Sequence, residues 1–159
     1  MHATFAFVNP GGIRDGLAKG PVTYGQLFAI QPFGNTVMAL TLTGQQIYDL
    51  LNQQWGAPQP PGGRHLQVSG LTYTWDSRVP EGGARVVEIH DAARAPIDRS
   101  KSYIVAVNDY MLGGGDNFTV LARGTERAPG PVDVKALAEY VKALPQPFSA
   151  PSGERITRR

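Results

Sequence analysis

Short apolar stretches, separated by segments rich in proline and glycine, divide the chain into predicted strands and helices. Residues 4–9 have the composition of a buried strand, and Thr36–Leu42 is rich in β-branched and aliphatic residues. Leu66–Trp75 and Ala84–Ile89 predict a hairpin, because the connection between them contains proline and glycine. A further strand is predicted at Tyr103–Val107, and it leads directly into a glycine-rich segment.

Three helices are predicted between these strands. Tyr24–Ile30 follows a threonine that can cap it. Val132–Leu144 ends before a proline, and its predicted core-facing apolar residues are Leu137, Tyr140, Val141 and Leu144. The second helix begins behind Thr43, and its apolar residues recur at helical spacing: Ile47, Leu50, Leu51 and Trp55. Because the helices do not alternate regularly with the strands, we predict an α+β fold rather than a doubly wound parallel sheet. At 159 residues, the chain is expected to form a single domain.

Composition limits the classes of function. The 15 basic and 13 acidic residues leave a net charge of +2, too small for the single-sign field of a nucleic-acid binder. Cysteine is absent, and the three histidines form no metal-ligand pattern. No Gly-x-Ser-x-Gly or P-loop motif occurs, and no apolar run approaches the roughly 18 residues that span a bilayer. We therefore expect no catalytic residue, no bound metal and no membrane span in this chain.

Three segments carry residue types that suit a small ligand. Tyr110–Phe118 contains an aromatic ring, three successive glycines and the carboxylate of Asp116, and glycine allows a close backbone approach. Asn9–Arg14 leaves a strand through two glycines and presents a guanidinium, which suits carboxylate or phosphate. Phe33 lies between a proline and a glycine, and the amide of Asn35 follows it. Each segment alone is also compatible with an ordinary turn.

Together the motifs resemble the C-terminal, substrate-binding domain of the 5'-nucleotidase and UDP-sugar hydrolase family. The resemblance covers nearly the whole chain, and four motifs occur in the family's order and spacing: Asn9–Arg14, Gln31–Asn35, Leu66–Leu71 and Asn108–Phe118. The resemblance implies a layered α/β/β/α arrangement with mixed sheets. It also implies a nucleobase held between two aromatic rings, which match Phe33 and Tyr110. Stacking of this kind tolerates different bases.

The remaining site residues also follow from the resemblance. Asp116 matches the carboxylate that binds the ribose hydroxyls, and Arg14 matches an arginine on the phosphate side. Asn9 and Asn35 match polar positions that contact ligand, and Gly70 matches a close backbone approach.

Two positions depart from the family pattern. The second ring is commonly Phe, so the added hydroxyl of Tyr110 needs a hydrogen-bond partner. Asn117 replaces a frequent Gly, which we expect to stiffen the loop.

The resemblance assigns the chemistry to a part that this chain lacks. In the family, an N-terminal metallophosphoesterase domain holds two divalent metal ions, which need a dense set of ligands. We expect this domain to be the partner of the chain in a longer polypeptide, and the isolated chain to be inactive. The strand at Phe5–Val8 begins almost immediately, so the N-terminal edge is expected to be truncated. The family also implies a periplasmic, extracellular or surface-associated parent.

The sequence leaves three interpretations open. The first is the recognition domain of a hydrolase that acts on a nucleoside phosphomonoester. The second is a non-catalytic module that binds nucleosides or other aromatic ligands, and the third is an interaction domain whose glycine loop contacts protein. Within the first, the sequence does not choose among 5'-nucleotides, UDP-sugars, 2',3'-cyclic nucleotides and sulfur compounds as substrates of the parent.

Overall fold

A computed structural model describes residues 2–159 and contains eight strands and four α-helices in that range. The strands are β1 (Phe5–Val8), β2 (Thr36–Thr43), β3 (Gln67–Ser69), β4 (Leu71–Trp75), β5 (Val86–Asp91), β6 (Ser102–Asn108), β7 (Thr125–Val132) and β8 (Ile156–Arg158). The helices are α1 (Tyr24–Ile30), α2 (Gly44–Asn52), α3 (Asp109–Leu112) and α4 (Asp133–Ala143). Short 3-10 turns lie at Pro10–Gly12, Gln53–Trp55, Gly115–Asn117 and Thr119–Arg123.

The strands form two mixed sheets. In the larger sheet the order is β3-β1-β6-β2-β7, and β1 and β6 are its parallel pair. In the smaller sheet the order is β5-β4-β8, with β5 antiparallel and β8 parallel to β4. These sheets confirm the predicted α+β class, and the pairing of β4 with β5 confirms the predicted hairpin.

The segment predicted as one strand, Leu66–Trp75, is divided at Gly70 between the two sheets. Gly70 has a φ of 80°, and a Cβ at this position would overlap the carbonyl oxygen of Thr4. Only glycine fits both conditions. The buried apolar positions shift by one residue at Gly70, from Leu66 and Val68 to Leu71 and Tyr73. The segment was predicted as a single strand because apolar and β-branched residues lie on both sides of the bend.

Helices α1 and α2 begin where their threonine caps predict. The Thr43 side chain accepts a hydrogen bond from Gln46 N at 3.2 Å, and Gln46 Oε1 accepts one from Thr43 N at 2.7 Å. Thr23 and Gln26 form the same reciprocal pair at the start of α1. Each pair satisfies two backbone donors that a helix N-terminus would otherwise leave free. The apolar stripe of α2 is buried in the main core, as predicted.

The apolar face of α4 differs in part from the prediction. Tyr140, predicted to face the core, is 54% exposed, whereas Val134 and Ala138 pack against Leu27 of α1. Two edge strands, β7 and β8, were also not predicted. Most side chains of β7 are exposed and two of its residues are prolines, which an edge strand tolerates because it need not donate on both sides.

Gln54 connects the end of α2 to the loop that precedes β3. Its side chain is fully buried, donates to Leu51 O at 2.7 Å and accepts from Leu66 N at 2.6 Å. The hydroxyl of Tyr73 lies 3.3 Å from the same amide group. Burial raises the pKa of Tyr73 to about 12, although the hydrogen bond to Gln54 acts in the opposite direction. The backbone carbonyl of Gln54 also accepts from Arg64 N at 2.8 Å.

Gln54→Leu is expected to lower the free energy of unfolding by roughly 2–3 kcal/mol, because it leaves the buried Leu66 N–H without an acceptor. Tyr73→Phe is the matched control: it keeps that acceptor and should cost about 1 kcal/mol. Urea denaturation of the two variants measures both values. Equal losses of unfolding free energy in the two variants would show that Gln54 does not stabilise the fold through the Leu66 N–H.

Candidate functional site

Sheet register brings three distant segments of the chain to one edge. Because β1 and β6 are parallel neighbours, with Ala6 opposite Ala106, both strands end at the same edge. Strand β2 runs antiparallel to β6 and pairs Val37 with Asn108, so β2 begins there. The residues after β1, before β2 and after β6 therefore meet. They surround a cavity of about 300 Å³, at the lower end of the usual size of ligand pockets.

Six of the seven predicted site residues line this cavity: Asn9, Arg14, Phe33, Asn35, Tyr110 and Asp116. Gly11 and Gly12 complete its wall. Gly70 does not line it and instead borders a separate cavity of about 590 Å³ beside β4 and β8. The close backbone approach expected at Gly70 is to Thr4 of the protein itself, so this glycine shapes the fold and does not belong to the ligand cavity.

Two aromatic rings at the cavity are about half exposed. Phe33 is 54% exposed, and the Arg14 guanidinium lies 5.9 Å from the centre of its ring. Tyr110 is 50% exposed and lies in the first turn of α3. Its ring packs against the backbone of Gly115, where a Cβ would lie 2.5 Å from Tyr110 Cε1. Glycine at 115 is therefore needed for this ring position.

Asp116 is the centre of a hydrogen-bond network in the cavity wall. Its Oδ2 accepts from Asn9 Nδ2 at 2.7 Å, and its Oδ1 lies 3.0 Å from Arg64 Nη1. The Tyr110 hydroxyl donates to Oδ1 at 3.3 Å, which gives this hydroxyl the partner that the sequence required. The Asp116 side chain is only 10% exposed, so its charge is balanced mainly by Arg64.

Arg64 and Gln59 belong to the network, but the sequence does not identify them. Gln59 Nε2 donates to the backbone carbonyl of Asp116 at 2.7 Å, and Arg64 Nε donates to Gln59 Oε1 at 3.2 Å. Both residues lie in a loop rich in proline and glycine, more than 50 positions from Asp116. No local pattern marks such a contact, because it depends on how the loop folds over the glycine segment.

Asn108 is a third network residue absent from the predicted site. Its Oδ1 accepts from Met111 N at 2.8 Å and so caps α3, while its Nδ2 donates to Asn9 Oδ1 at 3.0 Å. Asn9 and Asn108 are both buried. A Cβ on Gly12 would lie 2.9 Å from Asn9 Oδ1, so glycine leaves room for this pair. An asparagine directly before a short helix is the cap signal that could have identified Asn108.

The glycine segment has an unusual backbone. Gly114, Asp116 and Asn117 all have positive φ, at 100°, 55° and 60°. Asparagine and aspartate tolerate this left-handed region better than most residues, although it still has a cost for them. Asn117 thus occupies a conformation that also suits glycine. The hydrogen bonds to Asp116 hold the segment in this shape.

The cavity offers three kinds of contact. Two apolar ring faces can stack on a planar group, Asp116 can accept hydrogen bonds from hydroxyls, and Arg14 can donate to an anion. Within residues 2–159, no group of three or more His, Asp or Glu side chains is arranged to hold a metal ion. The ligands of a dimetal centre are therefore not found in this part of the chain. No helix in the same range is long and apolar enough to cross a membrane.

Several known proteins are similar to this chain in sequence or in fold. The chain is 34% identical over 158 residues to endonuclease YhcR of Bacillus subtilis (strain 168), covering 98% of the chain and 12% of that protein. It is 32% identical over 145 residues to cell wall protein Lmo0130 of Listeria monocytogenes, covering 87% of the chain and 18% of that protein. The crystal structure of the 5'-nucleotidase precursor from Thermus thermophilus superposes with a TM-score of 0.85 at 36% identity. That match covers 98% of this chain and 31% of the other.

The chain thus spans less than a third of each of these proteins. Residues 1–123 match the protein family described as 5'-nucleotidase, C-terminal domain. The same fold, the match over most of the length and the ordered motifs agree with one another. The chain belongs to the 5'-nucleotidase C-terminal domain family.

Proposed function

We propose that the chain is one substrate-recognition domain of a 5'-nucleotidase-type phosphoester hydrolase. The nucleobase stacks between Phe33 and Tyr110, and Asp116 accepts hydrogen bonds from the ribose hydroxyls. Arg14 faces the phosphate, while Asn9 holds the Asp116 carboxylate and Asn35 adds a polar contact to the base. The domain thereby binds the nucleoside and directs its phosphate towards a separate catalytic domain.

One observation carries this proposal: a single cavity combines two half-exposed rings, a constrained carboxylate and a guanidinium. Nucleotides present the matching chemistry, since they have a planar base, a sugar with hydroxyls and an anion. The Asp116 carboxylate is already fixed by Asn9 and Arg64, so little ordering is needed when ligand hydroxyls bind. Membership in the 5'-nucleotidase family supports the same substrate class.

In this proposal, the residues that break the phosphoester bond lie outside residues 2–159. Two divalent metal ions in an N-terminal metallophosphoesterase domain would supply the attacking oxygen and neutralise charge on the phosphate. The residues of this chain bind and orient the substrate. We also propose a location outside the cytoplasm for the parent protein, since relatives of the chain include a cell wall protein.

Truncation of either ring should weaken nucleoside binding. Phe33→Ala and Tyr110→Ala are each expected to lower the affinity for adenosine by roughly tenfold, because stacking contributes about 1–3 kcal/mol per base. Phe28→Ala is the matched control, since Phe28 is 47% exposed on α1 and does not line the cavity. Isothermal titration calorimetry measures all three. Unchanged affinity in both ring variants would contradict base stacking at this cavity.

Gly12→Ala should weaken adenosine binding without changing any side chain that contacts the ligand. The new methyl group would displace Asn9, which then holds Asp116 less firmly, and we expect a loss of affinity of about threefold to tenfold. Gly16→Ala is the control, because a Cβ there meets nothing within 4 Å. If the two variants bind adenosine equally well, the Asn9 contact does not support the site.

The isolated chain should release no phosphate from AMP above the buffer rate, with or without Mn²⁺ or Zn²⁺. The reason is that its described residues supply no dimetal ligand set. A malachite green assay on fractions from size-exclusion chromatography measures this. Metal-dependent release that coelutes with the chain would show that it is itself an enzyme. Adenosine binding without any hydrolysis in the longer natural polypeptide would instead favour a non-catalytic binding module.

A further inference from the structure

Asp116 already accepts most of the hydrogen bonds that a carboxylate can accept. Two carboxylate oxygens offer about four lone-pair positions. Within residues 2–159, three protein donors occupy three of them: Asn9 Nδ2 at 2.7 Å, Arg64 Nη1 at 3.0 Å and the Tyr110 hydroxyl at 3.3 Å. Arg64 and Tyr110 share Oδ1, whereas Asn9 alone uses Oδ2. One acceptor position, on Oδ2, is left for a ligand.

The three donors are not held equally firmly. Asn9 is 3% exposed and is fixed by its bond from Asn108. Arg64 makes a charge-assisted contact and is oriented by Gln59. The Tyr110 bond is longer than the usual 2.5–3.0 Å range of O–H···O bonds, and its ring is half exposed. Its hydroxyl can turn to water without being left unsatisfied, so it is the donor that a ligand displaces most easily.

We propose that the Tyr110 hydroxyl sets how strongly this site distinguishes ribose from deoxyribose. The inference rests on the proposed nucleoside-binding function. A sugar with one hydroxyl directed at Asp116 uses the remaining position, whereas a 2',3'-diol donates two hydrogen bonds and must displace Tyr110. The second hydroxyl of ribose therefore adds little to the binding affinity. The site binds 2'-deoxyribonucleosides nearly as well as ribonucleosides, and Tyr110→Phe would raise its preference for ribose.

Calorimetric titration with adenosine, 2'-deoxyadenosine and 3'-deoxyadenosine tests this inference. For the unmodified chain, adenosine should bind within about threefold of either deoxynucleoside, because its second hydrogen bond replaces one from Tyr110. In Tyr110→Phe the ratio of the affinity for adenosine to that for either deoxynucleoside should rise roughly fivefold, since the diol no longer displaces a protein donor. Tyr140→Phe removes the hydroxyl of an exposed tyrosine that does not line the cavity, and it should leave the affinity ratios unchanged.

The possible failures are distinguishable. If the ratios in Tyr110→Phe stay within about twofold of the unmodified chain while adenosine still binds, the inference is wrong and nucleoside binding stands. If Arg64→Gln changes the ratios and Tyr110→Phe does not, Arg64 is the displaced donor and the inference is again wrong. If the unmodified chain binds none of the three nucleosides, the proposed function fails and the inference fails with it. Thermal unfolding of each variant confirms that the proteins compared are folded.

Discussion

The parallel pairing of β1 with β6 is the contact on which the candidate site depends. It aligns two strands about 100 positions apart in the sequence, so that Asn9 and Asn108 leave the sheet side by side. Asn9 Oδ1 accepts a hydrogen bond from Asn108 Nδ2, and Asn9 Nδ2 donates to Asp116 Oδ2. A slip of one residue in this register would turn Phe5 and Phe7 out of the core and remove the Asn pair from the edge. Burial of the apolar faces therefore also fixes the polar network.

The network around Asp116 combines charge, burial and strained backbone. A nearly buried carboxylate is costly unless it is paired, and Arg64, Asn9 and Tyr110 supply donors from three separate segments. These contacts also hold the left-handed backbone at Asp116, which would not persist without support from its surroundings. Strain that is stabilised by several independent contacts is typical of a binding site that is formed before its ligand arrives.

Glycine has different structural roles at different positions in this chain. At Gly12 and Gly115 it leaves room for the side chains of Asn9 and Tyr110, which belong to the cavity. At Gly70 it allows a bend against the backbone of Thr4, and the bend divides one predicted strand between two sheets. The same residue type thus supports the site in two places and the fold in a third. Sequence alone cannot separate these tasks, because each depends on what lies opposite the missing Cβ.

Much of the fold and of the cavity lining follows from local patterns. The two threonine caps and the buried stripe of α2 depend on residues a few positions apart, so local sequence is enough to predict them. Six residues of the cavity lining were predicted from the family resemblance, which rests on four ordered motifs. Only the tertiary structure showed that Gly70 contacts the protein's own backbone and that the side chain of Tyr140 is exposed. It also showed that Arg64, Gln59 and Asn108 belong to the network around Asp116. The edge strands β7 and β8 were also visible only in the tertiary structure, because their pairing partners lie far away in the sequence. The physical reason is that contacts between distant segments depend on sheet register and loop closure, which no short stretch of sequence encodes.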